Sequence, residues 1–151
     1  MPRQTLLRQG EIERAVDRAA RSLGGAGGVL VVIDADDDPP CALGPALAKR
    51  ARTARPDVPS RVVLATREKE AWYLATVESL RGRRGIPEDA SAHPTPEVVR
   101  GAKEWLADIM ARPYSEIADE AAFAALFDLG LARQRTRSFD KLWRDVLALL
   151  E

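Results

Sequence analysis

The residues best suited to chemistry are the run Asp34-Ala35-Asp36-Asp37-Asp38, which follows directly on the apolar, β-branched stretch Val29 to Ile33. Side chains two apart in an extended segment point the same way, so Asp34 and Asp36 are expected to converge on one hard cation. Magnesium, or manganese in its place, suits such a pair, because one or two carboxylates plus waters hold it and leave positions for phosphate oxygens. Asp37 and Asp38 add negative charge that strengthens cation attraction. A plainer reading stands beside this one: a solvated acidic loop in which Asp38 caps a helix begun by Pro39 and Pro40. An EF-hand is excluded. Counting from Asp34, Pro39 stands where that loop needs glycine and Pro45 where it needs a bidentate glutamate.

A second candidate is Arg67-Glu68-Lys69-Glu70-Ala71-Trp72, at the end of another apolar stretch, Val62 to Ala65. If the two stretches are neighbouring strands, Glu68 or Glu70 lies on the same rim as Asp34 and supplies a third carboxylate. The alternative is that both glutamates favour a helix N-terminus through its dipole while Trp72 packs inward. Arg81, Arg83 and Arg84, and Arg133, Arg135 and Arg137, form two basic clusters suited to nucleic-acid phosphates or simply to solvent. Cys41 has no histidine near it in sequence, which weakens a nucleophile reading. His93 lies between Ala92 and Pro94 and reads as a surface residue. No phosphate-binding G-x-x-x-x-G-K-[ST] loop and no dinucleotide glycine fingerprint occur, since the glycines at 24 to 28 precede a strand, the wrong order for either.

Several elements must hold these residues in place. Thr5 to Leu7 form a short extended candidate, and Ile12, Val16, Ala19, Ala20 and Leu23 recur at helical spacing from Glu11. Gly24 to Gly28 end that helix, and Val29 to Ile33 reads as a strand covered on both faces. Leu43, Leu47 and Ala51 space a helix closed by Pro56 and Pro59, and Val62 to Ala65 is a second buried strand. Strand, helix, strand in this order implies parallel pairing through a helical crossover. The remainder reads as helical: one helix through Trp72 and Leu80, a polar loop from Arg81 to Thr95, a helix from Pro96, a short one around Phe123 to Phe127, and a last one. In that last helix Ser138 is the expected N-cap, and Phe139, Leu142, Trp143, Val146, Leu149 and Leu150 share one face with Trp143 as a core anchor. The fold class is thus α/β, a small mostly parallel sheet flanked by helices with a mostly helical C-terminal half. A single domain over 1–151 is expected, 1–80 forming the sheet with its crossover helices and 96–151 a helical part packed on it.

Bulk properties narrow the function further. With 23 Lys plus Arg against 23 Asp plus Glu in 151 residues, no net field draws the chain to nucleic acid or to an anionic membrane, so such binding must use local patches. Hydrophobic residues at 46% and charged residues at 30% are those of a chain that folds. A lone cysteine excludes an internal disulfide and any multi-cysteine zinc site and suits a reducing compartment, and His93 as the single histidine tells further against zinc. The polar first ten residues and the lack of a run of about 20 apolar residues predict a soluble, cytoplasmic protein with no membrane partner. Arginine dominates over lysine and asparagine is absent, which points to a bacterial genome rich in G and C.

The segments Gly28-Val-Leu-Val-Val-Ile-Asp-Ala-Asp-Asp-Asp38, Val63-Leu-Ala-Thr-Arg-Glu-Lys-Glu-Ala-Trp72 and Tyr114 through Trp143 together resemble an uncharacterised bacterial family of Toprim-like proteins, often encoded beside an ATPase. The resemblance implies a Toprim-like core and matches Asp34 and Asp36 to that fold's Asp-x-Asp pair. It implies magnesium-dependent cleavage or transfer at nucleic-acid phosphates, with Glu70 or Glu68 assisting. Toprim sites also use a glutamate at the end of an earlier strand, and this sequence begins after the place where that strand is expected. An unpaired sheet edge, self-association through it, and a non-catalytic role as partner of an ATPase are the corresponding expectations.

Overall fold

The computed structural model describes residues 2–151. They form a mixed α/β structure that divides into two compact units, one built from the chain up to Ala65 together with Lys141–Glu151, the other from Thr66–Asp140. None of the described helices is long and apolar enough to cross a membrane.

The first unit contains helices α1 (Arg3–Leu7), α2 (Glu11–Arg21) and α3 (Pro40–Ala54), strands β1 (Val29–Asp34) and β2 (Ser60–Ala65), and the part of helix α8 (Arg137–Leu150) from Lys141 onward. The strands pair in parallel from Val29↔Ser60 to Asp34↔Ala65, as a crossover through α3 requires. Ile12, Val16 and Ala20 recur every fourth residue along α2, so they share one face and are buried together. They join Leu47 and Ala51 of α3 against Val29 and Ile33 of β1 and Val62 and Leu64 of β2. The period of two then puts Leu30, Val32 and Asp34 on the other face of β1. There Val32 is 41% exposed, although Val63 and Ala65 of β2 are fully buried. Val29 to Ile33 is therefore not covered on both faces as expected, whereas β2 is buried nearly throughout. Gly28 precedes β1 where no side chain fits: a Cβ would lie 2.6 Å from Leu149 Cδ2 and 3.0 Å from the Pro59 carbonyl oxygen.

The extended segment expected at Thr5 to Leu7 is instead α1. Thr5 and Leu6 both donate their N–H to the Pro2 carbonyl, which closes the first turn; Leu6 is buried in the core and Leu7 packs against it partly buried. Three residues with two apolar side chains cannot distinguish a turn of helix from a strand by period.

The second unit holds α4 (Ala71–Leu74), α5 (Ala102–Met110), α6 (Asp119–Ala124), α7 (Leu129–Arg135), the first turn of α8, and 3-10 turns at Val77–Leu80 and Pro96–Val98. Leu74, Val77, Leu80, Leu106 and Phe123 are fully buried, and Tyr73 packs edge-on against Phe123 and Phe127 at 5.6 and 5.3 Å. The helix expected through Trp72 to Leu80 breaks at Thr76, whose φ of −133° leaves the helical range. That expected from Pro96 stops at the 3-10 turn, and α5 starts anew after Gly101, whose φ of 70° favours glycine. α7 was not foreseen; Asp128 caps it by accepting from Leu131 N at 2.8 Å.

The first turn of α8 is capped from a distance. Glu97 accepts from the Arg137 and Ser138 backbone N–H groups at 2.9 and 3.0 Å, while the Ser138 hydroxyl accepts from Trp72 Nε1 at 2.8 Å. Ser138 is thus inside the helix and not its N-cap. Phe139 is buried, but Trp143 is only half-buried and Leu150 is 78% exposed, so the apolar face of α8 is not a uniform core anchor.

Candidate functional site

β1 ends at Asp34, and the chain turns at once: Asp38 donates its N–H to the Ala35 carbonyl at 3.0 Å, and Asp36 within that turn has φ of 50°. This corrects the geometric premise for the pair. Asp34 and Asp36 do not lie in one extended segment, so the alternation of a strand does not align them. What gathers the acidic oxygens is Arg3. Its guanidinium donates from Nε to the Asp34 carbonyl at 2.8 Å and from Nη2 to the Ala35 carbonyl at 3.0 Å. It also pairs with Asp36 Oδ2 at 3.2 Å and with Asp38 Oδ2. Asp38 is accordingly tied to α1 and does not cap α3, whose N-cap is Pro39 with no side-chain bond. The Asp36 and Asp38 side chains stay about half exposed (55% and 51%), against 19% for Arg3.

Four hard oxygens, two carbonyl and two carboxylate, thus meet one cationic group at the carboxyl end of a parallel strand. Oxygen donors are the kind that magnesium or manganese takes, and these four meet three different nitrogens of the Arg3 guanidinium. Among the described residues no group of three or more His, Cys, Asp or Glu side chains is arranged to hold a metal. A cation here would depend on two carboxylates, main-chain oxygens and water.

Glu68 and Glu70 belong to the second unit, and each has partners there. The Glu68 carboxylate accepts from Gly101 N at 3.1 Å and Lys103 N at 3.4 Å, so it serves the N-terminus of α5, where a negative charge is favoured. Glu70 is fully buried, with Lys69 Nζ 3.6 Å and Lys103 Nζ 3.9 Å from Oε1. Those lysines in turn meet Glu120 at 3.4 Å and Glu116 at 2.5 Å. Burial first, and then the negative charges of Glu120 and Glu70, push the Tyr73 hydroxyl far above the usual tyrosine range. Burial and Glu70 do the same at Tyr114. Neither phenol is an acid or base near neutrality.

No protein-family model matches the chain, and no match is found among curated proteins or solved structures.

Most members of the two arginine clusters are engaged inside the second unit. Arg84 pairs with Asp119 at 2.8 Å, Arg81 Nε donates to the Ala90 carbonyl at 2.7 Å, and Arg133 pairs with Asp140 at 2.9 Å. Arg135 donates to the Ala75 carbonyl at 2.7 Å and to Glu78 at 2.6 Å. Arg83 and Arg137 are exposed. These bonds place the arginines as ties between turns. Cys41 is exposed in the first turn of α3. His93 is half-buried rather than fully on the surface; Nδ1 accepts from Thr95 N at 3.1 Å, and its ring packs edge-on against Trp105 at 4.9 Å.

Two features of the structure had no signal in the sequence. Arg3 is one, because more than thirty residues separate it from the oxygens it grips. The other is Asp119, fully buried between Arg84 and Arg112.

Proposed function

We propose that this chain is a Toprim-like domain whose β1 carboxyl end, Asp34 to Asp38, takes Mg²⁺ or Mn²⁺ and serves cleavage of nucleic-acid phosphodiesters. The observation that supports this reading is the convergence of the Asp34 and Ala35 carbonyls with the Asp36 and Asp38 carboxylates on a single cationic group. Parallel sheets bind ligands beyond the carboxyl ends of their strands, and Asp34 is the last residue of β1. A cation bound there polarises phosphate and lowers the pKa of a bound water. Asp36 and Asp38 contribute charge from a turn whose side chains are about half exposed to solvent. Glu68 acts on α5 in this reading, and Glu70 is the centre of the lysine cluster.

A second reading, a non-catalytic partner of another protein such as an ATPase, is favoured by one specific observation. Of the glutamates proposed to assist the cation, Glu68 accepts hydrogen bonds and Glu70 sits in ion pairs with Lys69 and Lys103, all within the second unit. The two readings separate in one experiment. The full chain is incubated with single- and double-stranded DNA and RNA in Mg²⁺ or Mn²⁺, with and without chelator, beside Asp36→Asn and Asp38→Asn. Cleavage that chelation and both substitutions abolish is the expected result. Absence of cleavage on every substrate, with the variants folded, leaves the partner role.

A further inference from the structure

The sheet of the first unit leaves one side of β1 open. Val29 and Ala35 donate their N–H groups to the Pro59 and Ala65 carbonyls, and the alternation of a parallel ladder gives Val31 and Ile33 the same role toward β2. The N–H and C=O groups of Leu30 and Val32 therefore point away from β2, and among the described residues no hydrogen bond reaches them. On that side the Asp34 carbonyl is occupied, by Arg3 Nε at 2.8 Å. Nothing guards the rest. The run Val29 to Ile33 holds no proline, lysine or bulge, the devices by which edge strands avoid pairing. Val32 is 41% exposed, and Leu30 and Val31 are half-buried. The far edge of the sheet differs, because Lys141 Nζ donates to the Val62 carbonyl at 3.0 Å.

We propose that this edge is the interface of a two-fold homodimer, in which the β1 strands of two copies pair antiparallel and the sheet continues in the order β2-β1-β1-β2. A strand paired antiparallel with its own copy has two-fold symmetry, so the same surface serves both sides. Arg3 selects the register. A pairing centred on Val32 needs the Asp34 carbonyl, which the guanidinium already holds. Centred on Val31, the pairing uses the open groups: Leu30 of each copy exchanges N–H···O bonds in both directions with Val32 of the other. Val31 then meets its own copy at the closely spaced position between those bonds, and Leu30 lies beside Val32 on the opposite face, so apolar contact accompanies the ladder. Charge fits the same arrangement. Antiparallel strands set the acidic turn Asp36 to Asp38 of one copy toward the start of β1 in the other, where α2 ends in the basic residues Arg18 and Arg21. Gly24 and Gly25 lie between, with open space where side chains would stand. A net charge of zero puts no long-range repulsion between copies. Because Lys141 guards β2, the assembly closes at two copies instead of growing into a filament. The contact is a few residues long and belongs at the small, reversible end of protein interfaces.

The test is sedimentation velocity and light scattering of the full chain from about 10 µM to about 1 mM, a range suited to a small interface. It compares wild type, Val32→Lys, Val32→Pro and, on exposed apolar surface of the second unit, Ile117→Lys. Val32→Lys places a charge on the edge, and Val32→Pro deletes the outward N–H while leaving the ladder to β2 intact. Far-UV circular dichroism and the thermal midpoint establish that each variant is folded, and Val32→Lys carries the test if the proline variant is not. Wild type and Ile117→Lys should pass from monomer to dimer as concentration rises, and the Val32 variants should associate about tenfold more weakly or less. In wild type, amide hydrogen exchange at Leu30 and Val32 should slow over the same range. A wild type that stays monomeric up to about 1 mM overturns the proposal. A dimer that the Val32 variants form as strongly, or that Ile117→Lys abolishes, places the contact elsewhere and overturns it too, as does growth beyond two copies.

Discussion

Replacing Asp119 by alanine tests a carboxylate that accepts four hydrogen bonds. Its Oδ1 accepts from Arg84 Nε at 2.9 Å and Arg112 Nη2 at 2.8 Å, and its Oδ2 from Arg112 Nη1 at 2.9 Å and Ser115 N at 2.8 Å. Arg112 Nη2 also donates to the Arg84 carbonyl at 2.7 Å, so one carboxylate closes three chain segments on each other. Hydrogen bonds to charged groups are each worth about 1.5 to 3 kcal/mol when both ends are dry. Here Asp119 is fully buried, but the Arg84 and Arg112 side chains are 43% and 39% exposed and regain water when the carboxylate is removed. That discounts each arginine to roughly 1 kcal/mol. The Ser115 N–H, left without its acceptor, adds about 1 to 2 kcal/mol. The expected loss is therefore about 3 to 4 kcal/mol, in the lower part of the about 3 to 5 of a fully buried broken pair.

The same bonds fix the pH dependence. The Arg112 hydrogen bonds, outweighing the opposing effect of burial and aided by Ser115 and Arg84, hold the Asp119 carboxyl well below the usual carboxylate range. A carboxyl whose folded pKa is depressed stabilises the fold above its unfolded pKa, about 3.9, and loses that contribution as pH falls through the folded value. Urea unfolding of wild type and Asp119→Ala, followed by Trp72 and Trp105 fluorescence in the second unit, should show a constant gap from pH 7 to about 5. The gap should narrow below about pH 4. A gap under about 0.5 kcal/mol at pH 7, or one that widens on acidification, would refute the reasoning.

Two smaller perturbations probe the first turn of α8. Glu97→Ala removes the acceptor of the Arg137 and Ser138 N–H groups and should cost about 1 kcal/mol, as loss of a helix cap does; unchanged urea unfolding would show that water replaces the carboxylate. Trp72→Phe deletes the buried 2.8 Å bond to the Ser138 hydroxyl and should cost about 1 to 2 kcal/mol. A double-mutant cycle with Ser138→Ala should return a coupling of about 1 kcal/mol, and a coupling near zero would mean that the loss comes from packing alone.

Elements are legible in the sequence where one chemical pattern repeats within a few residues. Ile12, Val16 and Ala20 specified α2 and its buried face, the β-branched run before Asp34 specified β1, and Val62 to Ala65 specified β2. Parallel pairing followed from the helix between them. The readings failed where one residue's backbone angle decided the outcome. Asp36 turns with a positive φ, Thr76 breaks a helix, and Gly101 restarts another. None of these angles is written in a hydrophobic period.

The candidate site divides along the same line. Sequence by itself determined that carboxylates cluster at the end of an apolar strand, because residue type and order suffice for that. Only the tertiary structure decided what those carboxylates meet. Arg3 is brought to Asp36 and Asp38 by the burial of Leu6, and Glu68 is drawn to α5 by two N–H groups that a helix start leaves open. Charges far apart in the chain choose partners through distance in space. Packing of apolar residues sets that distance, and no spacing along the sequence encodes it.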